Sequence, residues 1–240
     1  MIAYLAPGPG YGKPTGAAAI CRHLSDVVVY RERTQGNEIL EQHGVPHVVG
    51  PPPGDAAITV VDSTFRALRA LRWPVVGEVR VLYRAGRASA QPGALSMEHW
   101  TPDGMLDGWP ILLHELEPRA TARNRLGVGT DDPLVCWIES MVCPGTVRPV
   151  AEAAAQTRGA ALVRLDGPEL MAAADLLVCA AGLNTHTEAI CAGTDVHWVP
   201  CSRSPDQAER LTVPVTRAPR ADQSERIARW IETGRDNALR

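Results

Sequence analysis

The chain has 240 residues, enough for one large domain or two small ones at roughly 100–200 residues each. Hydrophobic residues make up 45% and charged residues 21%, a globular balance that excludes wholesale disorder. Twenty-four basic against 27 acidic side chains leave a net charge of −3 with no basic block, which argues against a nucleic-acid footprint. No apolar run approaches the roughly 20 residues that a membrane helix needs. The opening MIAYLAPGPG lacks the charged start of a signal peptide, so a cytoplasmic protein is expected. The six cysteines, at 21, 136, 143, 179, 191 and 201, contain no C-x-x-C pair. Free thiols buried as small hydrophobes are therefore the expectation.

Short apolar runs alternate with helix-length segments. Ile2–Leu5 reads as a strand, followed by a Gly/Pro loop and a helix over Gly16–Leu24 that Thr15 would cap. Val27–Tyr30, Val45–Val49 and Ile58–Val61 read as strands, with helices over Gly36–His43 and Thr64–Leu71. Weaker strand signals cover Pro74–Val76 and Val79–Tyr83, and Ala85–Asp107 reads as loop. Ile111–Leu113 is expected to be a strand and His114–Leu126 a helix. The alternation then restarts. Strands are expected at Leu134–Ile138, Ala160–Leu165, Leu176–Cys179, Val196–Val199 and Val213–Thr216. Helices fall at Val147–Thr157, Pro168–Ala174, Asn184–Cys191, Pro205–Leu211 and Ala221–Glu232. This pattern predicts an α/β protein with two small Rossmann-like halves, 1–112 and 113–240, each built on a parallel sheet.

The first loop, Pro7-Gly8-Pro9-Gly10-Tyr11-Gly12-Lys13-Pro14, fails two familiar tests. A P-loop needs glycine where Pro7 stands and a hydroxyl where Pro14 stands. The G-x-G-x-x-G fingerprint would need glycine at Lys13 or Thr15. What remains is a strand–loop–helix turn at which a ligand can approach the backbone. The second half carries a stronger feature: Asp175, the apolar stretch Leu176–Cys179, Gly182, Asn184, Thr185 and Glu188. Free N–H groups and the dipole of a helix starting there suit a diphosphate, and Glu188 stands one turn in.

That block resembles the donor-nucleotide signature of GT-B glycosyltransferases, above all the peptidoglycan N-acetylglucosaminyltransferase and related UDP-glycosyltransferases. The family pattern is an acidic residue, an apolar strand, a Gly-containing turn and Thr-x-x-Glu with a later glycine. Here it is met by Asp175, Leu176–Cys179, Gly182, Thr185, Glu188 and Gly193. The strand Val196–Val199 with Pro200 and the pair Asp206-Gln207 continue it. At 240 residues the chain is short for that family. The resemblance implies a GT-B-like fold with the two halves facing a cleft. A nucleoside-diphosphate sugar would be the donor substrate, with no cofactor or metal. Gly182, Asn184 and Thr185 would meet the diphosphate, Glu188 the ribose, and Asp206 and Gln207 the sugar. The loop Ser140–Thr146 would also approach the phosphates.

The first loop matches the family's Gly-x-Gly-His acceptor loop at Gly10 and Gly12, with Lys13 in place of the histidine. Lys13, Asp62 and His99 are the candidate catalytic groups, the general base being unresolved among them. His114-Glu115 is a weaker candidate, and His186 is expected on the surface of the nucleotide helix. The implied activity is glycosyl transfer to a small-molecule or lipid-linked acceptor, with a partner protein possible. A nucleotide-sugar hydrolase or a non-catalytic nucleotide-sugar-binding subunit is the alternative.

Overall fold

The computed structural model describes residues 1–8, 11–62, 72–83, 94–96, 111–201 and 221–234. The chain divides into two compact units. The first takes the described residues up to Leu113 together with the C-terminal helix, and the second the described residues from His114 to Ala221.

The first unit is built on a six-stranded parallel sheet of β1 (Ile2–Leu5), β2 (Val27–Arg31), β3 (His47–Val49), β4 (Ile58–Val61), β5 (Glu78–Tyr83) and β6 (Ala94–Ser96). Their order is β3-β2-β1-β4-β5-β6. Side chains alternate across a strand, so β1 buries Ile2 and Tyr4 on one face and Ala3 and Leu5 on the other. Helix α1 (Gly12–Cys21) covers the Tyr4 face with Ala17, Ala18, Ala19 and Ile20. These alanines have almost no side chain to hold helix and sheet apart, which lets α1 pack closely. A short helix α2 (Asn37–Gln42) adds Leu40 to the same core.

The second unit carries a four-stranded parallel sheet of β7 (Leu134–Trp137), β8 (Ala161–Arg164), β9 (Leu176–Ala180) and β10 (Val196–Val199), in the order β10-β9-β7-β8. Helix α3 (Arg119–Arg125) precedes it, α4 (Val147–Arg158) connects β7 to β8, and α5 (Leu183–Ala192) connects β9 to β10. A 3₁₀ helix at Pro168–Ala173 leads into β9. Val147, Ala151 and Ala155 of α4 pack on one sheet face, against Val135, Trp137 and Val178. On the other face Ala122, Met171 and Ala189 pack against Cys136, Leu177 and Cys179. Two parallel sheets covered on both faces are the expected α/β class.

Several elements depart from expectation. Thr15 caps nothing: α1 starts three residues earlier, and the Thr15 hydroxyl donates to the Tyr11 carbonyl at 2.7 Å from inside the helix. A strand at Ala94–Ser96 pairs with β5 where only loop was expected. Ile111–Leu113 is no strand, because side chains take its backbone groups. Arg22 donates to the Leu112 and Leu113 carbonyls at 3.2 and 2.8 Å, and Asp222 accepts the Leu112 N–H at 2.8 Å. The expected elements at 64–71, 205–211 and 213–216 lie outside the described residues.

The C-terminal helix α6 (Ser224–Thr233) was expected to close the second half, yet it belongs to the first unit. Ile227, Ala228, Trp230 and Ile231 lie in one core with α1 and β1, and Arg80 of β5 stacks 5.9 Å from the Trp230 ring. Asp222 pairs with Arg22 at 3.1 Å, tying the start of α6 to the end of α1. Ile231→Ala should therefore destabilise the first unit by about 2–5 kcal/mol, the usual cost of truncating a fully buried aliphatic side chain. Urea unfolding of the full chain measures it, and an unchanged midpoint would contradict this packing.

Candidate functional site

Gly12, Lys13 and Asp62 in the first unit, and Gly182, Asn184, Thr185 and Glu188 in the second, follow the carboxyl ends of strands, where the chain leaves the sheet. In the second unit β9 is completely buried and ends at Ala180, and Gly182 stands immediately before α5. Gly182 offers no side chain to cap the helix, so the first turn of α5 begins with backbone alone. A Cβ at Gly182 would meet only the Thr185 hydroxyl, at 3.9 Å. Thr185 and Glu188, three residues apart, share a helix face. The structure thus places Gly182 at the cap, Thr185 in the first turn and Glu188 one turn in, with Asn184 half-exposed beside Thr185. Gly193, in the left-handed region at φ 67°, ends the helix.

Glu188 is the unusual member. Only 7% of its surface is exposed, and its carboxylate makes no hydrogen bond or ion pair among the described residues. Desolvation, and then the charge of Glu169, push its pKa up to about 7. A buried carboxylate without donors is costly unless a ligand supplies them. Glu169, in the 3₁₀ helix, had no role in the sequence reading; no spacing rule links it to Glu188.

His186 corrects an expectation. It is fully buried, with its ring centroid 5.0 Å from that of Trp198 on β10, rather than on the helix surface. The cause is the position of α5 between β9 and the 3₁₀ helix, which encloses this helix on more than one side. Val196 and Trp198 pack against the sheet core of this unit. Asp175 works at the opposite, amino end of β9. It accepts the Leu134 N–H at 2.8 Å and pairs with Arg119 and Arg123. Burial raises its pKa, and the Leu134 N–H and the two arginines overcome that, leaving the carboxyl below its usual range.

In the first unit the turn after β1 passes through Gly8, at φ 107°, a conformation closed to most side chains. It enters α1, whose first turn carries Gly12 and Lys13. Leu5 pairs with Val61, so Asp62 emerges directly beside this turn. The Lys13 ammonium lies 2.8 Å from one Asp62 carboxylate oxygen and also bonds the Asp62 carbonyl. Tyr4, in register with Val60 and so on the same sheet face as Asp62, donates its hydroxyl to the other carboxylate oxygen at 3.0 Å. Asp62 is 0% exposed, whereas the Lys13 side chain is 24% exposed. Arg31, fully buried at the end of β2, donates to the Ala6 carbonyl at 2.7 Å and holds the start of the same turn. Tyr4 and Arg31 were missed in the sequence; alternation along β1 and β2 was the one available signal. Gly10, His99, Asp206 and Gln207 lie outside the described residues, and His114 and Glu115 are exposed.

The cysteines split. Cys21, Cys136, Cys179 and Cys191 are buried and free as expected, but Cys143 and Cys201 form a disulfide with Cα atoms 6.0 Å apart. No spacing rule announces this pairing across 58 residues. The described residues hold no cluster of His, Cys, Asp and Glu suited to a metal ion. No helix among them is long and apolar enough to cross a membrane.

No protein-family model matches this chain, and no curated protein sequence does. Among solved structures it is similar to the glycotransferase of kitacinnamycin, with 12% identity and a TM-score of 0.56, over 99% of this chain and 91% of that one. It is also similar to the glycosyltransferase SnogD from Streptomyces nogalater, with 12% identity and a TM-score of 0.51, over 99% and 93%. The fold resembles that of GT-B glycosyltransferases.

Glu188 also makes the second unit pH-sensitive. The folded protein holds the Glu188 proton up to about pH 7, whereas the unfolded chain releases it near the ordinary glutamate value. Stability should fall as pH rises through that window and level off above it, a loss of about 3 kcal/mol. Glu188→Gln should abolish this slope and be the more stable protein at pH 8. Melting temperatures of both proteins from pH 4 to 9 test it; parallel curves would contradict the desolvated carboxyl.

Proposed function

We propose that this protein is a glycosyltransferase that takes a nucleoside-diphosphate sugar on its second unit and an acceptor on its first. The observation that carries the reading is Glu188: a buried carboxylate without a hydrogen-bond donor among the described residues, on one face with Thr185 near the start of α5. A ribose supplies two adjacent hydroxyl donors, the complement of such a group, and its diphosphate would lie at the backbone N–H groups of the first turn. Asn184 and Thr185 would add side-chain donors there. Asp206 and Gln207 remain proposed contacts of the donor sugar, on the resemblance alone. The similarity to glycosyltransferase folds agrees with this reading.

The reaction would be displacement at the anomeric carbon. As the bond to the diphosphate breaks, charge grows on the leaving oxygen, where the helix dipole and N–H groups of α5 stabilise it. On the acceptor side, Asp62 is enclosed and both its carboxylate oxygens are engaged. It would position Lys13 rather than meet an acceptor itself. Lys13, partly exposed, would present its charge to an anionic group of the acceptor, with Gly12 beside it leaving room. His99 stays a candidate base on sequence alone.

Two experiments test the two halves of the proposal. Thermal shift with UDP, TDP and GDP should show stabilisation by one of them, about 2.7 kcal/mol at a hundredfold excess over Kd. Glu188→Ala should weaken that nucleotide by about 1–3 kcal/mol with the fold intact; equal affinity would remove the ribose role.

For Lys13, turnover of nucleotide sugar is followed against acceptor concentration. Lys13→Ala should raise the acceptor KM while donor affinity stays put, and Lys13→Arg should partly restore it because charge is retained. If Lys13 is the base instead, arginine should not rescue, and kcat should fall by roughly 10²–10⁴. Unchanged turnover in Lys13→Ala would discard both roles.

A further inference from the structure

The second sheet places β7 and β10 on either side of β9. Strands separated by one neighbour are roughly 9–10 Å apart. Cys143 lies in the loop after β7 and Cys201 just beyond β10, yet their Cα atoms are 6.0 Å apart. The two chain segments therefore converge at the carboxyl edge, across the end of β9, where Ala181 is fully buried and Gly182 opens α5. The bond fastens the loop after β7 to the chain just beyond β10. Cys143 N–H donates to the Ser140 hydroxyl at 3.0 Å and Thr146 donates to the Cys143 carbonyl at 2.7 Å. Between them Met141 and Val142 stand 69% and 45% exposed. Gly182, Asn184 and Thr185 keep partial exposure, so the first turn of α5 stays open.

We propose that the Cys143–Cys201 disulfide is a redox strap that holds the donor site in its binding-competent form, and that reduction weakens nucleotide binding; this rests on the donor reading of α5 given above. Formation needs a small disulfide such as glutathione disulfide. One cysteine thiolate attacks it and expels a first glutathione thiol, and the other thiolate attacks the mixed disulfide and expels the second. Two protein thiols are oxidised and one small disulfide is reduced. When the bond is cut by the reverse exchange, the Ser140–Thr146 loop loses its tie to Cys201, and nucleotide binding must bear the cost of holding the two segments together. The remaining cysteines compete poorly for this chemistry. All four are buried, and desolvation pushes the Cys21, Cys136 and Cys179 thiols up, Cys136 to about 12.

The test compares full-length protein in three forms: oxidised, reduced, and the double variant Cys143→Ser, Cys201→Ser. Thiol titration in denaturant should count four free thiols in the oxidised form and six in the reduced form, matching the four free cysteines and one disulfide. Calorimetry with UDP, TDP and GDP should find the tightest binding in the oxidised form, with Kd raised about tenfold in the other two. Six thiols in the oxidised sample would overturn the strap. So would equal affinity in all three forms, while leaving the donor site standing. Binding to none of the forms would overturn the donor reading and the strap with it.

Discussion

The carboxylate of Asp175 holds the frame on which the second unit's candidate site depends. It stands immediately before β9, accepts the N–H of Leu134 at the start of β7, and pairs with Arg123 and Arg119 of α3. Arg123 is itself enclosed, and its guanidinium reaches the carbonyls of Gly129, Thr130, Asp132 and Ala173. One ion cluster, with Arg123 enclosed and Asp175 and Arg119 partly exposed, therefore fixes two neighbouring strands and a helix at the amino edge of the sheet. Removing the Asp175 carboxylate would leave the enclosed Arg123 guanidinium without its ion-pair partner, which is costly. Its effect is on position. β9 enters at a set depth and register, and α5 leaves at a set angle from its far end.

Within each unit, parallel pairing does the same work at the opposite edge. All strands of a parallel sheet point one way, so the turns that follow them gather along one edge. In the first unit the pairing of Leu5 with Val61 brings Asp62 beside the turn that carries Lys13, 49 residues earlier in sequence. In the second, β9 delivers Gly182, Thr185 and Glu188. The two sites spend charge differently. Asp62 is buried but matched by Lys13 and Tyr4, and so is a finished structural unit. Glu188 is buried and unmatched among the described residues, and so is an incomplete one. Incomplete polar groups of that kind are where ligands are expected.

Much of this was legible along the chain. The apolar runs of β1, β4, β7, β9 and β10 announced themselves by β-branched and aliphatic content, and the Gly–Asn–Thr–Glu order marked the start of α5. What misled was local pattern without its surroundings. Ile111–Leu113 has strand-like side chains, yet Arg22 and Asp222 claim its backbone. His186 looks polar enough for a surface, yet its helix is enclosed and the ring packs near Trp198. Thr15 looks like a cap, yet Lys13 and Pro14 are already helical.

The sequence by itself determined the α/β class, most element positions and the donor-like block, because each is a matter of short-range periodicity, turn chemistry and local residue order. Tertiary structure decided three things that no local pattern contains. It moved α6 into the first unit, since its buried stripe of Ile227, Trp230 and Ile231 finds its complement in α1 rather than in the strands before it. It joined Lys13, Asp62 and Tyr4 into one cluster. It brought Cys143 to Cys201 across the end of β9. In all three the partners are far apart in the chain, and only the strand order of the folded sheets sets the distance between them.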